Sequence, residues 1–459
     1  MHMDPSSAVM AGSETRLETE LPQVRLYRPH GSMRLPGIIR FVFLYLHEFA
    51  SNLPALYALR SFYRMAKAVP EAEPMIACVG ENLDEVNGIA LTSRIMLREL
   101  RKAGKRVFIF GTAFHEKPPR SEGPDGSVVM APGRYSMDQA GYPASEVAML
   151  RLDSFIRFLR EHPVDIIEFQ TPGPVSVQCL VAAKFAGIKT LSHYRTDIIT
   201  YSRLLVKNRL GVWIINTWTT LMTRWMGPVV VPSEAYRKKV RDMGVPDGRI
   251  YKLPRGVDFK NFHPDKAGNG AWREQGLPGE GMKLLYVGRV SREKNLDALA
   301  DAFPALAEKV AGLSLTIVGA GPYLEGLKAR FAGRSDVHFT GVIHGEKLSG
   351  LFASADLLVF PSLTDTFGNS VVEALASGVP CVTSDEGGPR EIIVDGESGL
   401  VFAHAVPGDL EKKILSLALD PARLLSFKAK ARERAMLFTY DRSAEAFWDF
   451  YTRFHQNKL

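Results

Sequence analysis

Short apolar runs alternate with stretches of helical periodicity along most of the chain. In the first half these runs span residues 75–80, 107–111, 165–170, 189–194 and 229–233. Runs that are short and apolar throughout are typical of parallel strands covered by helices on both faces. The pattern therefore predicts an α/β protein built on a parallel sheet.

The alternation stops at residues 263–281, a segment rich in Gly and Pro, and then starts again. The second set of runs spans residues 283–288, 313–319, 337–341, 356–362 and 380–384. Two α/β units joined by a linker place a cleft between two sets of strand carboxyl ends, where such sheets bind ligands. We expect domains at 71–262 and 282–438, a linker at 263–281 and a C-terminal helix, 439–459, that packs on the first domain.

Composition supports a large folded core and excludes several other classes of protein. The 459 residues are 46% hydrophobic and 23% charged, with no apolar run long enough to span a bilayer. The first 20 residues lack a secretory signal pattern, and we expect them to be disordered. The three cysteines, Cys78, Cys179 and Cys381, lie far apart, which excludes a disulfide framework or cysteine-rich zinc site and fits a reducing cytoplasm.

The net charge of +7 is concentrated in two aromatic segments. Residues 21–70 carry a net charge of +6 and residues 203–241 a net charge of +7, so the rest of the chain is acidic. Basic side chains beside aromatic rings suit an anionic membrane surface. The alternative is that these are solvated faces beside a tryptophan-rich core. Nucleic acid is not expected as a partner, because no recognition motif accompanies the charge.

Candidate chemistry begins in the loop GRVSREKN, residues 288–295, which follows a predicted strand. Arg289 and Lys294 provide two cations on a loop that leaves the carboxyl end of that strand. Such a pair suits a diphosphate, which an arginine contacts with a planar fork and a lysine contacts as a point charge.

A second stretch, residues 361–393, runs from a strand through a turn at Phe367–Gly368 into a helix that we expect Asn369 or Ser370 to cap. The open N–H groups of that helix start form an anion site. Asp365 and Glu373 flank the turn without a like-charged neighbour, so they do not resemble an acid/base dyad. Singly these residues are ordinary, but their order and spacing favour a ligand site over a solvated loop and an exposed helix residue.

Residues 283–393 resemble the donor-binding domain of the family 4 retaining glycosyltransferases, which have the GT-B fold of two Rossmann-like domains. The family pattern appears here as Gly288–Lys294, Asp365-x(7)-Glu373 around Phe367–Gly368, Ala376–Pro380 and Gly387–Gly388. Asp365 stands where many members have Glu. The surrounding sequence is similar to the branch that acts on lipids and cell-envelope mannosides, including diacylglycerol glycosyltransferases and sulfoquinovosyldiacylglycerol synthases.

The resemblance implies a role for each motif residue. Arg289 and Lys294 would neutralise the donor diphosphate, and Asp365 would touch the transferred sugar. Glu373 would hold the ribose hydroxyls, and Val342 would meet the base. The remaining implied donor contacts are backbone positions: Gly288, Gly319, Gly321, Phe367, Gly368, Asn369 and Ser370.

Residues 81–111 and 171–205 resemble the family's acceptor domain less closely. Asn87 and Gly88 are implied to approach the diphosphate and acceptor, and His193, Arg195, Thr196 and Asp197 are implied to line the cleft. The family histidine before Thr-Asp is replaced by Arg195, with His193 two residues earlier. Arg195 either recognises an acidic group on the donor or acceptor, or forms a structural ion pair with Asp197.

The chain has no Asp-x-Asp motif, so a diphosphate held by a metal is not expected. No cofactor is expected either, since the nucleotide-diphosphate sugar would be a co-substrate. The expected activity is retaining transfer of a sugar from a nucleotide-diphosphate sugar to a lipid or cell-envelope glycan at the cytoplasmic membrane face. A UDP-sugar is favoured, and GDP-mannose stays open. Alternatives are a soluble transferase with a small acceptor such as a sugar phosphate, a catalytically degenerate nucleotide-sugar-binding scaffold, and an epimerase or phosphorylase of the same fold.

Overall fold

The structure is a computed structural model that describes residues 35–66, 73–81, 88–113, 120–122, 127–139, 142–206, 208–268 and 270–459. Residues 1–20, which we expect to be disordered, lie outside this part of the chain, and so do residues 21–34 of the basic segment 21–70. The described residues form two α/β domains, each built around one sheet.

The first sheet has nine strands in the order β3-β4-β2-β1-β6-β7-β8-β9, with β5 paired to β4. Strands β3 and β5 are antiparallel to β4, and the other seven strands are parallel. The strands are β1 Ile76–Val79, β2 Val107–Ala113, β3 Arg120–Glu122, β4 Val128–Gln139, β5 Tyr142–Leu150, β6 Ile166–Phe169, β7 Lys189–His193, β8 Val229–Val231 and β9 Ile250–Lys252.

The second sheet is fully parallel, in the order β12-β11-β10-β13-β14-β15. Its strands are β10 Lys283–Val287, β11 Ser314–Val318, β12 Val337–Gly341, β13 Leu357–Phe360, β14 Cys381–Ser384 and β15 Gly399–Phe402. All ten strands predicted from the apolar runs are present. The hairpin of β4 and β5 and the short strands β3, β9 and β15 were not predicted.

Helices cover both sheets. In the first half they are α1 Leu35–Ala66, α2 Gly88–Lys102, α3 Leu152–Glu161, α4 Pro174–Ala186, α5 Ile198–Leu205, α6 Arg209–Met226 and α7 Glu234–Asp242. In the second half they are α8 Ala271–Glu274, α9 Leu296–Lys309, α10 Leu324–Arg330, α11 Gly345–Ser354, α12 Asn369–Ala376, α13 Pro389–Ile392, α14 Asp409–Ala418, α15 Pro421–Ala435 and α16 Tyr440–His455. None of the described helices is both long enough and apolar enough to cross a membrane.

Strand β1 shows why the apolar runs are continuous. Its residues Ala77 and Val79 belong to a core shared with α1, α3 and α4, whereas Ile76 and Cys78 belong to a core shared with α2 and α16. Successive side chains of a strand point to opposite faces, so a strand buried on both faces needs apolar residues at every position.

The C-terminal helix α16 packs on the first domain although it follows the second domain in sequence. Phe447 and Tyr451 lie in the core beneath β1, and Lys189 Nζ donates to the carbonyl oxygens of Phe454 and His455 at 2.8 and 2.7 Å. The chain therefore crosses between the domains twice, which ties their relative position to the packing of α16.

Candidate functional site: the cleft between two sheet edges

The second sheet reverses its strand order between β10 and β13, because β11 and β12 lie on one side and β14 and β15 on the other. In open α/β sheets such a reversal opens a crevice at the carboxyl ends of the two strands. The loop after β10 carries Arg289 and Lys294, and the loop after β13 carries Asp365. The two predicted motifs therefore meet at the reversal.

Lys294 and Asp365 form an ion pair across this crevice. Lys294 Nζ lies 2.9 and 2.8 Å from the two carboxylate oxygens of Asp365, and its side chain is only 9% exposed. Burial alone would lower the pKa of Lys294, but the Asp365 carboxylate outweighs it and holds the pKa above its usual value. Lys294 is therefore a fixed positive charge.

Arg289 occupies the same loop on its solvent side. Its side chain is exposed, and its carbonyl oxygen accepts a hydrogen bond from the Tyr286 hydroxyl at 2.8 Å. That bond fixes the backbone between the end of β10 and Lys294. The loop thus presents one buried and one exposed cation.

Close backbone packing holds the loops after β10 and β11 together. A side chain at Gly319 would meet the carbonyl oxygen of Gly288 at 1.9 Å, and one at Gly321 would meet that of Val290 at 2.2 Å. Gly319 also has φ +140°, a conformation that side chains disfavour. The predicted glycine loop is therefore a packing requirement, and it sets the path of the Arg289 loop.

The turn at Phe367–Gly368 leads directly into α12, and Gly368, with φ 104°, is the N-cap. The prediction that Asn369 or Ser370 caps the helix was wrong: both belong to its first turn, and no side chain of the described residues caps it. The first N–H groups of a helix have no partner within it, so those of Asn369 and Ser370 are available to an anion. A Cβ at Gly388 would meet Thr366 O at 2.2 Å, so the predicted Gly-Gly pair packs beneath this turn.

Glu373 lies on α12, one turn beyond its start. Burial raises its pKa to about 7, and no hydrogen-bond partner for its carboxylate is found among the described residues. A partly buried carboxylate without a donor is destabilised in its charged form. It is therefore a ready acceptor for hydroxyl groups of a ligand.

Val342 follows β12 at the same edge of the sheet, and its side chain is 58% exposed. The predicted donor residues thus come from the carboxyl ends of β10, β11, β12 and β13, which are neighbours in the sheet. Their shared location follows from parallel strand order.

The first sheet contributes a buried polar cluster that lies opposite the crevice of the second sheet. His193 Nδ1 lies 3.0 Å from Glu168 Oε1, and Glu168 also accepts from Gln170 Nε2 at 2.6 Å and from the Tyr451 hydroxyl. Burial would raise the pKa of Glu168, but the hydrogen bond from His193 and its other partners lower it to about 2. Burial and nearby Arg195 lower the pKa of His193 to about 4, so the imidazole is neutral at pH 7.

Arg195 follows β7 and is almost buried, and Thr366 Oγ1 donates to its carbonyl oxygen at 2.9 Å across the cleft. The alternative of an Arg195–Asp197 ion pair was wrong. Asp197 instead caps α5 through Thr200 and pairs with Lys239 at 2.7 Å. Thr196 lies between them, partly exposed.

Gly88 begins α2 near this edge, and Asn87 lies outside the described residues.

Sequence reasoning missed Glu81, which follows β1 and accepts from the Ser176 N–H at 2.9 Å at the start of α4. Burial raises its pKa to about 7. It also missed Thr92 and Arg255, which contact one another beside Arg195. A lone arginine in a loop carries no sequence signal that distinguishes it.

The two domains contact each other around the turn before α12. Tyr236 OH and Ser233 Oγ donate to the carbonyl oxygens of Thr364 and Thr366 at 2.7 and 2.9 Å. Glu391 of the second domain accepts the first N–H groups of α7 at 2.8 Å. The predicted sites of both domains therefore face one cleft.

In the described part of the chain, no three His, Cys, Asp or Glu side chains form a group suited to a metal.

Family models match both halves of the chain. Residues 86–261 match Glycosyltransferase Family 4, and residues 271–434 match Glycosyl transferases group 1. The boundary between the two matches falls beside the linker, so each match corresponds to one sheet.

Several curated proteins are similar in sequence. A GDP-mannose-dependent alpha-mannosyltransferase of Mycobacterium tuberculosis is 28% identical over 72% of this chain and 86% of that protein. A protein of the same description from Corynebacterium glutamicum is 33% identical over 55% of this chain and 58% of that protein. Sulfoquinovosyl transferase SQD2 of Arabidopsis thaliana is 29% identical over 72% of this chain and 63% of that protein. The chain thus spans less than two thirds of the last two proteins.

Solved structures share the fold at low identity. Sucrose-phosphate synthase of Thermosynechococcus elongatus superposes with a TM-score of 0.66 at 20% identity, over 84% of this chain and 100% of that chain. HepE of Anabaena, in complex with UDP, superposes with a TM-score of 0.65 at 16% identity, over 82% of this chain and 99% of that chain. The paired sheets, the matched motifs and these similarities agree. The chain belongs to the glycosyltransferases of the GT-B fold, with a family 4 domain followed by a group 1 domain.

Proposed function

We propose that this protein is a retaining, metal-independent glycosyltransferase that moves a sugar from a nucleotide-diphosphate sugar to a lipid or lipid-linked glycan at the cytoplasmic membrane surface. The observation that carries the donor part is the crevice between β10 and β13. It combines Arg289, Lys294 and the open start of α12 with the carboxylate of Glu373, which has no hydrogen-bond partner among the described residues.

The diphosphate is the group that this crevice suits best. Lys294 is held as a cation by Asp365, and the N–H groups of α12 favour negative charge through the helix dipole. These charges are fixed before the ligand arrives, so they stabilise the charge that develops on the leaving diphosphate without reorganisation. Such an arrangement replaces a metal ion in this role.

Retention without a protein nucleophile is consistent with the state of Asp365. Both of its carboxylate oxygens accept from Lys294, which makes them weaker nucleophiles toward the anomeric carbon. In the proposed mechanism the leaving phosphate oxygen accepts the proton of the acceptor hydroxyl on the face from which it departs. Asp365 orients Lys294 and contacts the transferred sugar.

The crevice specifies the base and the sugar of the donor less closely than it specifies the diphosphate. The sequence favours a UDP-sugar, whereas several relatives carry the description GDP-mannose-dependent. Val342, exposed after β12, is positioned to contact either base with its apolar side chain. Glu373 would accept hydrogen bonds from the ribose hydroxyls.

The exposed face of helix α6 supports a membrane-bound acceptor. The side chains of Trp213 and Leu221 are 63% and 51% exposed, and those of Ile214, Trp218 and Trp225 are exposed as well. Exposed Arg209 and Arg224 lie on the same helix. Aromatic and aliphatic side chains flanked by arginine match the interface of an anionic bilayer, where apolar burial and charge attraction act together. The proposed occupant of this face is therefore an anionic lipid surface.

This face adjoins the acceptor side of the cleft. The loop that begins α4 is held by Trp218 Nε1, which donates to the carbonyl oxygen of Pro172 at 2.8 Å, and by the Tyr45 hydroxyl of α1, which donates to that of Pro174 at 3.4 Å. Helix α1 also exposes apolar side chains, among them Tyr57 and Met65. A lipid headgroup at this surface would lie near the edge of the first sheet.

Replacing Lys294 tests the donor site. Lys294→Ala should lower kcat about 100-fold to 1000-fold, since removal of one preorganised transition-state donor costs about 2.7–4 kcal/mol. The measurement is nucleotide release from the donor sugar, with and without acceptor. Exposed Lys309→Ala serves as the matched control, and thermal unfolding checks that both variants fold. Near-wild-type turnover in Lys294→Ala would contradict the assignment.

The raised pKa of Glu373 predicts pH-dependent donor binding. Because ribose hydroxyls donate to the ionised carboxylate, affinity for a nucleotide sugar should rise about tenfold between pH 6 and pH 8 as the group with pKa about 7 loses its proton. Titration calorimetry with UDP-glucose and GDP-mannose measures this, since their diphosphates do not titrate in that range. Glu373→Gln should remove the rise, whereas exposed Glu280→Gln should keep it. A wild-type affinity that is flat with pH would rule out this role.

Vesicle sedimentation tests the membrane surface. The wild type should bind phosphatidylglycerol vesicles at low salt and lose binding at high salt, because screening weakens attraction to the surface. The triple variant Trp213→Ser, Ile214→Ser and Leu221→Ser should bind about tenfold more weakly through lost apolar burial. Leu425→Ser, an exposed site on α15, is the control. Absence of wild-type binding at low salt would instead support a soluble enzyme with a small acceptor.

A further inference from the structure

Two arginine side chains from different parts of the first domain converge on one hydroxyl group. Arg195 Nη1 donates to Thr92 Oγ1 at 2.7 Å, and Arg255 Nη2 reaches the same oxygen at 3.5 Å. Arg195 follows β7, Arg255 follows β9, and Thr92 lies on α2. Three elements thus place two guanidinium groups at one point of the sheet edge.

This point faces the donor turn. The carbonyl oxygen of Arg195 accepts from Thr366 Oγ1 at 2.9 Å, and the Arg255 guanidinium lies 5.7 Å from the centre of the Phe367 ring. The pair is therefore inside the cleft, opposite the turn that leads into α12. It is separate from the Arg289 and Lys294 loop, which belongs to the second domain.

The positive charge of this pair is only partly neutralised by the described residues. Neither Arg195 nor Arg255 forms an ion pair with a described carboxylate, and Arg195 Nε is buried with no hydrogen-bond partner. Glu168 lies close enough to Arg195 to offset one charge, but its oxygens accept from His193, Gln170 and Tyr451.

The pKa values of both guanidinium groups are lowered, so this arrangement disfavours their charged forms. Burial, partly offset by Glu168, lowers the pKa of Arg195, and burial together with the charge of Arg195 lowers that of Arg255 to about 9. His193 is neutral and supplies no charge of either sign. Two guanidinium groups against one occupied carboxylate leave one positive charge in excess, and a buried charge without a partner is unfavourable until an anion joins it.

We propose that Arg195, Arg255 and Thr92 bind a compact oxyanion, a carboxylate, sulfonate or phosphate group, carried by one of the two substrates of the cleft. This inference rests on the proposed function and adds an acidic group to the substrate class. Guanidinium forks match the paired oxygens of all three groups, and the Thr92 hydroxyl oxygen holds both forks at this point. The acid belongs either to the transferred sugar or to the acceptor.

The test compares acidic and neutral substrates with Arg195→Gln, Arg255→Gln and the exposed control Arg157→Gln. One arm measures binding of UDP-glucuronate against UDP-glucose, and of a GDP-linked hexuronate against GDP-mannose. The other measures transfer to phosphatidylinositol against diacylglycerol in mixed vesicles. The wild type should prefer the acidic member of one arm by about tenfold or more, and that arm identifies the source of the acid.

Both cleft variants should lose this preference and keep the wild-type affinity for the nucleoside diphosphate, while Arg157→Gln keeps both. Arg255→Gln should also unfold at a temperature no lower than the wild type, because it removes a buried like-charge repulsion; a merely structural arginine would give a less stable variant. Arg195→Lys, which keeps the charge and loses the fork, should show a reduced preference. A wild type with no acidic preference in either arm, or variants that retain it, overturns the inference. A protein that binds no nucleoside diphosphate overturns the proposed function instead.

Discussion

A buried ammonium group needs a counter-charge, and among the described residues the Asp365 carboxylate supplies it to Lys294 at 2.8 Å. The pair bridges the loops after β10 and β13, where the order of the second sheet reverses, so it fixes both loops around the crevice. The arrangement keeps a full positive charge in a site that excludes much of the water. In the proposed function, a diphosphate that enters the crevice would interact with this charge without requiring the protein to rearrange.

The opposite edge of the cleft is built on a different electrostatic balance. Glu168 is stabilised as an anion by His193, Gln170 and Tyr451, whereas Arg195 and Arg255 retain positive charge in excess. Tyr451 belongs to α16, so the helix that ties the second domain back to the first also completes the Glu168 cluster. Domain position and cleft charge are therefore linked through one buried hydrogen bond.

The parallel strands were predictable because residues such as Ile76 and Ala77 are buried on opposite faces and must both be apolar. The β4–β5 hairpin was missed because Gly133 and Pro143 interrupt its pattern, and backbone pairing rather than apolar content defines it. The order of the motifs predicted that Lys294 and Asp365 share a site. Their direct contact depends on the order of the strands in the sheet, which the residues around each motif do not reveal. Arg255 was missed because only the fold brings it to Thr92.

Titration calorimetry of the purified protein with UDP, GDP and the corresponding monophosphates, in the presence of a chelator, tests the central claim most directly. The crevice between β10 and β13 should bind one nucleoside diphosphate without a metal ion. It should bind the monophosphate at least about tenfold more weakly, because the second phosphate supplies the charge that we propose Arg289 and Lys294 recognise. Binding of neither diphosphate, or binding that disappears with the chelator, would contradict the account.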